Sequence, residues 1–205
     1  MHIKNHWEQV YQTKAPDAVS WFQEHAEHSL QLIRSIGIDR NAVVIDVGGG
    51  ASTLVDDLLK EGYHNLTVLD LSGAALNAAK NRLGVLVNKV QWIEADVTTV
   101  SLPAAYYDIW HDRAVFHFLT LPAERSAYVE LVKRSVKSGG HVIVATFAED
   151  GPTKCSGLPA MRYTADELQA EFGVSFALIN HEKKAHHTPL GTVQQFIYCY
   201  FRMVD

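Results

Sequence analysis

Short apolar runs alternate with amphipathic stretches along most of the chain. Val43-Val44-Ile45-Asp46-Val47 is β-branched and runs into glycines, a pattern that predicts a buried parallel strand. From Ser52 to Glu61, Leu54, Val55, Leu58 and Leu59 recur at helical spacing, and Gly62 supplies a stop signal. Leu66 to Leu69 reads as a second strand, Gly73 to Leu83 as an alanine-rich helix, Val90 to Ile93 as a third strand and Tyr107 to Trp110 as a fourth. A helical stretch follows, broken at Pro122 and running to Val136, before Gly139-Gly140 opens a fifth strand over His141 to Thr146. Four strand–helix units in succession predict an α/β fold with a doubly wound, mostly parallel sheet. Two further strands, Ser175 to Asn180 and Gln194 to Phe201, are expected to form an antiparallel C-terminal hairpin that brings the sheet to seven strands. The polar segment between them holds Thr188-Pro189-Leu190-Gly191, and Lys183-Lys184 is read as part of a solvated turn. The first 40 residues carry two helical patterns, His2 to Tyr11 and Ala26 to Ile36.

Composition narrows the class. The 205 residues contain no repeat or low-complexity linker, so residues 1–205 are expected to form one domain around one core. Apolar residues make up 47% and charged residues 20%, which excludes a disordered or fibrous chain. A net charge of −5 argues against nucleic acid as a partner. No apolar run approaches the roughly 18 residues of a spanning helix, and the first residues lack the apolar centre of a signal peptide. Two cysteines make no disulfide framework; the expected setting is cytoplasmic, with no membrane partner and a monomer or homodimer.

In a doubly wound sheet, ligands bind beyond the C-terminal ends of the strands. Three acidic residues fall there: Asp46 in the first strand, Asp70 at the end of the second and Asp96 at the end of the third. Asp46 is followed by Gly48-Gly49-Gly50, where backbone can approach a ligand closely, although Thr53 stands at the last position of a dinucleotide G-x-G-x-x-G pattern. Asp70 sits at the distance expected of a carboxylate that accepts ribose hydroxyls, and Asp96 can accept from an exocyclic adenine amine. Each is also readable as a solvated cap or turn; three in sequence point to an adenosine-containing ligand. A carboxylate like Asp46 repels a pyrophosphate but suits a cationic ligand.

This order of features resembles the class I S-adenosylmethionine-dependent methyltransferases over about residues 40 to 205. The resemblance rests on Asp46-Val47-Gly48-Gly49-Gly50, Asp70, Asp96 and the C-terminal hairpin. It implies a Rossmann-like methyltransferase fold with S-adenosylmethionine as cofactor. It also implies that Gly48 and Gly50 line the methionine part, that Asp70 binds the ribose and that Asp96 and Val97 flank the adenine, with Asp46, Gly49 and Leu71 among the cofactor-binding residues. The leader His6-Trp7-Glu8-Gln9-Val10-Tyr11 with Val19-Ser20-Trp21-Phe22 resembles the leading helix and lid of small methyltransferases, making residues 1–40 an N-terminal helical lid. Gly49 stands where the family often has another small residue.

The acceptor side is expected beyond the fourth strand, in Tyr107-Asp108-Ile109-Trp110-His111-Asp112-Arg113-Ala114-Val115-Phe116-His117. Its Trp-x-Asp-Arg order is similar to the Trp-Asp-Arg of thiopurine-type S-methyltransferases, with His111 inserted. His111, Arg113 and His117 are the candidate catalytic residues: imidazole titrates near neutrality, and guanidinium binds anions bidentately. His111 is also expected to touch the cofactor. The alternatives are a packed core role for His117 and a simple pair between Arg113 and Asp112. A long Gly- and Pro-rich loop, residues 146–159, leads to Arg162-Tyr163 and a helix capped by Thr164 with Glu167. With Trp21, Asp112 and Arg162, Cys155 is a candidate for the acceptor site or its lid, though a packed thiol is the favoured reading of it. No Cys/His set has zinc-finger spacing, so no metal is expected, apart from a composite of His111, His117 and His186.

The expected function is methyl transfer by in-line displacement to a small-molecule acceptor, with sulfur or oxygen preferred to nitrogen. A protein lysine methyltransferase is the alternative, because the leader also resembles those enzymes. A non-catalytic S-adenosylmethionine-binding sensor or partner subunit is a reading of another class, and a nicotinamide oxidoreductase is weakened by the incomplete glycine pattern.

Overall fold

The structure, a computed structural model, describes residues 2–204. Helix α1 (His2–Thr13) and helix α2 (Glu27–Ile36) precede strand β1 (Val43–Val47). Helix α3 (Leu54–Lys60), strand β2 (Asn65–Asp70), helix α4 (Gly73–Leu83) and strand β3 (Val90–Glu94) follow. Strand β4 (Tyr107–Arg113) leads through a 3-10 turn at Phe116–Phe118 into helix α5 (Pro122–Ser135) and strand β5 (Val136–Ala148). Three short strands come next: β6 (Lys154–Cys155), β7 (Leu158–Pro159) and β8 (Arg162–Tyr163). Helix α6 (Ala165–Phe172) and the long strands β9 (Phe176–His187) and β10 (Val193–Met203) complete the chain.

The sheet order is β3-β2-β1-β4-β5-β10-β9, the expected seven strands, and the two-residue β8 adds an eighth beside β5. The strands β1 to β5 are mutually parallel and β10 runs antiparallel to both neighbours. Order reverses between β1 and β4, which creates the crevice where such sheets bind ligands.

Period-2 alternation sorts each strand onto two cores. Ile45, Val47, Trp110, Val142 and Val144 face α5 and α6 with Tyr128, Val132, Leu168 and Phe172. Val44, Val68, Ile109, Ile143 and Phe147 face the other side, against Leu30, Ile33, Leu54, Leu58 and Leu76. Pro122 opens α5, where its missing N–H costs nothing and its fixed φ suits a helix start. Thr164 Oγ1 accepts from Glu167 N at 3.2 Å, and the Glu167 carboxylate accepts from Thr164 N at 2.8 Å, the reciprocal cap that the sequence predicts.

Two boundaries differ from the sequence reading. Strand β5 begins at Val136, because the register against β4 shifts between Tyr107 and Ile109 and absorbs Gly139 (φ +69°) as an irregularity inside the strand. Strand β9 extends to His187, so Lys183 and Lys184 lie in a strand, paired with Ile197 and Phe196 of β10; the turn is confined to residues 188–192. The loop after β5 is partly ordered by the β6–β7 hairpin.

Candidate active site

The crevice holds two adjoining cavities. The larger encloses about 990 Å³, its open mouth included, between the ends of β1 to β4 and the roof formed by α1. Gly48, Asp70, Leu71, Asp96, Val97, Arg113, Trp21 and Cys155 all line it. The smaller cavity lies under the glycine turn and is lined by Asp46, Gly49, Ser29 and His111; Gly48, Tyr11, Trp21 and Arg113 border both. Gly50 packs behind the turn and lines neither.

The glycine turn has a steric cause at each position. Gly48 adopts φ +68°, and a Cβ there would overlap the Val115 side chain. A Cβ on Gly49 would overlap the Asp46 carboxylate, and one on Gly50 would fall 2.6 Å from Asp70 Oδ2. The glycines thus let the backbone fold against two carboxylates. Asp70 accepts from Gly50 N at 3.0 Å and from Ser72 N at 2.8 Å. Burial, reinforced by the Asp46 and Glu8 charges, pushes its carboxyl up to about 6. Asp96, at the exposed end of the crevice, accepts from Thr98 N at 2.8 Å and Thr98 Oγ1 at 2.6 Å.

Alternation along β4 separates residues adjacent in sequence. His111 and Arg113 share the α2 face of the sheet with Asp46, whereas Asp112 faces α5. His111 is the direct pairing neighbour of Asp46. Its Nδ1 lies 2.7 Å from Asp46 Oδ1 and its Nε2 2.9 Å from Ser29 Oγ on α2, so both ring nitrogens are engaged. Asp46 Oδ2 is buried without a partner. Asp112 accepts from Tyr128 Oη (2.7 Å), Val115 N (2.9 Å) and Phe116 N (3.1 Å), and burial pushes its carboxyl up to about 6. It pins the β4–α5 connection and lines neither cavity. Arg113 therefore does not pair with Asp112: its Nε donates to Tyr198 Oη (3.0 Å), its Nη1 to Trp21 O (3.1 Å), and its guanidinium lies 4.6 Å from the Phe196 ring centroid.

His117 is fully buried against Phe147, with ring centroids 4.4 Å apart, and borders neither cavity. Its Nδ1 accepts from Phe147 N at 3.3 Å, and burial lowers its pKa to about 3. That is the packed-core role. His186 bonds Ser20 O at 2.7 Å through Nε2. His111, His117 and His186 thus have separate partners, and among the described residues no group of three or more His, Cys, Asp or Glu is placed to hold a metal. Arg162 is exposed on β8 away from both cavities. Cys155 borders the larger cavity as a buried thiol pushed up to about 11 by burial.

The roof was legible only in outline. Trp7 of α1 packs edge-on against Trp21 (5.5 Å) and Phe118 (5.2 Å), and Trp21 Nε1 donates to Tyr11 Oη at 3.0 Å. Glu8 caps the start of α4, accepting from Gly73 N at 2.6 Å and Ala74 N at 3.2 Å, and Lys4 pairs with Glu94 at 2.6 Å. Sequence reasoning missed Glu8 and Ser29 as site residues. A serine on the apolar face of α2 was a usable signal for the second; an acid in an N-terminal helix gave none for the first.

A switch-point crevice with one acidic residue at each of three strand ends has the lining that suits a nucleoside ligand in a doubly wound sheet. The methyltransferase-domain family matches residues 45–144, which carry the glycine turn and all three carboxylates. The EEF1A lysine methyltransferase 2 of Danio rerio is 26% identical over 168 residues, covering 78% of this chain and 65% of the relative. The chain thus spans just under two thirds of that protein's length. The Homo sapiens protein of the same name is 24% identical over 86% of this chain and 75% of its own. Among solved structures, one concerned with conversion of a disulfide bond into a thioacetal group during echinomycin biosynthesis superposes with TM-score 0.81 at 17% identity, covering 99% and 93% of the two chains. The Burkholderia thailandensis 1,6-didemethyltoxoflavin-N1-methyltransferase, with bound 1,6-didemethyltoxoflavin and S-adenosylhomocysteine, gives 0.72 at 19% identity over 99% and 88%. Residues 45–144 are thus similar to the methyltransferase-domain family, and the fold is the one seen in S-adenosylmethionine-dependent methyltransferases. The residues present fit S-adenosylmethionine: a glycine cradle, a buried unpaired carboxylate oxygen on Asp46 for a cation, and Asp70 at the crevice.

Proposed function

We propose that the chain methylates a small-molecule acceptor, with sulfur or an acidic oxygen preferred to nitrogen. The observation that carries this reading is the roof: α1 closes over the larger cavity through Trp7 and Tyr11, and Trp21, Phe118 and Cys155 wall its inner end. A flat or compact molecule fits such a chamber better than a protein segment. The cofactor supplies a methyl group on a cationic sulfur. Asp70 accepts the ribose hydroxyls, Asp96 and Val97 border the adenine with Leu71 beside it, and Asp46 holds the ammonium at the glycine turn. The aromatic wall excludes water and aligns the acceptor, since alignment and proximity supply most of what a displacement needs.

The state of the histidines favours an acceptor that ionises by itself. His111 has both nitrogens engaged and His117 is sealed in the core, so neither is placed to take an acceptor proton. A thiol, ordinarily near pKa 8.5, needs less help than an alcohol or ammonium. The names of the curated relatives favour a second reading, a protein lysine acceptor. Arg113 opposes it, because an incoming lysine ammonium would meet a guanidinium inside the chamber. The deciding experiment incubates the protein with methyl-labelled cofactor and a cell extract split by dialysis. Label in a dialysable compound that separates from the cofactor on chromatography supports the small-molecule reading; label confined to a protein band overturns it.

A further inference from the structure

We propose that Arg113 is the carboxylate receptor of this site, so that the ligand held between β4 and the roof carries an anionic carboxylate next to the chamber. This rests on the methyltransferase reading and adds the charge class of what the chamber binds. Arg113 is the one Lys or Arg that lines either cavity among the described residues, and it lines both. Two of its nitrogens are fixed by neutral acceptors, Tyr198 Oη and Trp21 O, and the Phe196 ring backs the guanidinium plane. The third nitrogen, Nη2, is shut from solvent and has no hydrogen-bond partner among the described residues. Among the described residues no carboxylate lies within ion-pair distance of Arg113, whereas Arg34, Arg40, Arg82 and Arg125 each have at least one. Asp112, its neighbour in sequence, faces the opposite side of the sheet and is saturated by Tyr128, Val115 and Phe116.

A buried guanidinium N–H without an acceptor costs free energy that a ligand oxygen restores, and a planar carboxylate matches its fork. Burial, and after it the Arg113 charge, lowers the pKa of both His117 and His186, so neither competes with a ligand as a cation beside Arg113. Ala114, next along the chain, adopts φ +72° and donates to Ala145 O at 2.9 Å, so the backbone that aims Arg113 is held in a conformation few residues adopt. A guanidinium fixed on two sides, backed by a ring and left unpaired on the third is preorganised for an anion.

Two carboxylates qualify: the amino-acid tail of the cofactor and an acidic group on the acceptor. The test pairs each with a carboxylate-free counterpart. Calorimetry compares S-adenosylhomocysteine with 5′-methylthioadenosine, which lacks the amino-acid tail. Tryptophan fluorescence of the S-adenosylhomocysteine complex compares salicylate with salicylamide, using Trp7 and Trp21 in the cavity wall. Arg113→Gln is expected to weaken the carboxylate member of one pair by about tenfold or more and to leave its counterpart unchanged. Loss confined to the first pair assigns the cofactor tail, and loss confined to the second assigns the acceptor. Equal loss in both members of each pair, or no loss in any, overturns the proposal. Arg113→Lys, which keeps the charge without the fork, should show the same selectivity with a smaller loss, and serves alone should the glutamine variant fail to fold. Wild-type protein that binds neither adenosine compound overturns the cofactor assignment itself, independently of Arg113.

Discussion

His111 Nδ1 lies 2.7 Å from Asp46 Oδ1, across the one parallel pairing where the order of the sheet reverses. The imidazole is fixed from the far side by Ser29 Oγ, so a helix outside the sheet sets the orientation of a carboxylate inside the crevice. Because Oδ1 is engaged by His111, Oδ2 is the oxygen left for a ligand cation.

Ser29→Ala removes the partner of His111 Nε2 in a nearly solvent-free position. Leaving a buried polar atom unpaired costs about 1–3 kcal/mol. Urea unfolding should show a loss of that size, together with weaker S-adenosylhomocysteine binding as the Asp46 carboxylate loses its support. An unchanged midpoint and unchanged affinity would mean that α2 does not orient Asp46.

Glu8 joins the roof to the start of α4 by two backbone hydrogen bonds, and its negative charge meets the positive end of that helix. Glu8→Ala should loosen α1 without touching the sheet. The expected result is faster release of S-adenosylhomocysteine in stopped-flow fluorescence, by about threefold to tenfold. Proteolytic cleavage near Lys14 should speed up as well. A release rate equal to wild type would show that α1 is not the barrier to exit.

Ala114 occupies the left-handed region immediately after Arg113. An L-residue with a Cβ costs about 1–2 kcal/mol there, and glycine does not. Ala114→Gly should therefore be close to neutral in thermal unfolding, while Ala75→Gly inside α4 should cost about 1 kcal/mol. Ala114→Val, β-branched at positive φ, should cost about 2 kcal/mol and weaken ligand binding by displacing Arg113. Similar losses for both glycine variants would contradict the strained geometry at this turn.

The strand ends were readable because parallel strands advertise themselves as β-branched runs and because glycines and carboxylates cluster where such strands end. Asp70, Asp96 and the Gly48 turn followed from that logic. The histidines were not, since sequence distance says nothing about which face of β4 a residue occupies until the pairing is known. Alternation places His111 and Arg113 on the Asp46 face and sends Asp112 to Tyr128, and the turn after β4 then folds His117 under Phe147. Ser29 and Glu8 act through tertiary contacts with residues 82 and 65 positions away. No local pattern encodes such contacts. The extension of β9 escaped for a different reason: an edge strand studded with Lys, Glu and His has the composition of a turn, and only its ladder with β10 reveals it.

Asp70 gives the site a pH dependence whose sign follows from its surroundings. Burial raises its carboxyl from the usual 3.8 to about 6 in the ligand-free protein. The folded state therefore holds this proton more tightly than the unfolded chain does. The contribution to stability is fully present below the unfolded value and fades as pH rises to about 6, a change of about 3 kcal/mol. Asp112, raised to about 6 by burial, acts in the same direction and window, so Asp70→Asn should flatten only part of the profile. Ligand binding has the opposite preference, because ribose hydroxyls donate to the ionised carboxylate and oppose its protonation. Affinity for S-adenosylhomocysteine should be level above about pH 6 and fall by up to about tenfold per unit below it. At about pH 5 binding should release close to one proton, visible as a buffer-dependent heat in calorimetry. Asp70→Asn should bind weakly and release none. Proton uptake on binding, or an affinity indifferent to pH across this window, would remove Asp70 from the ribose site.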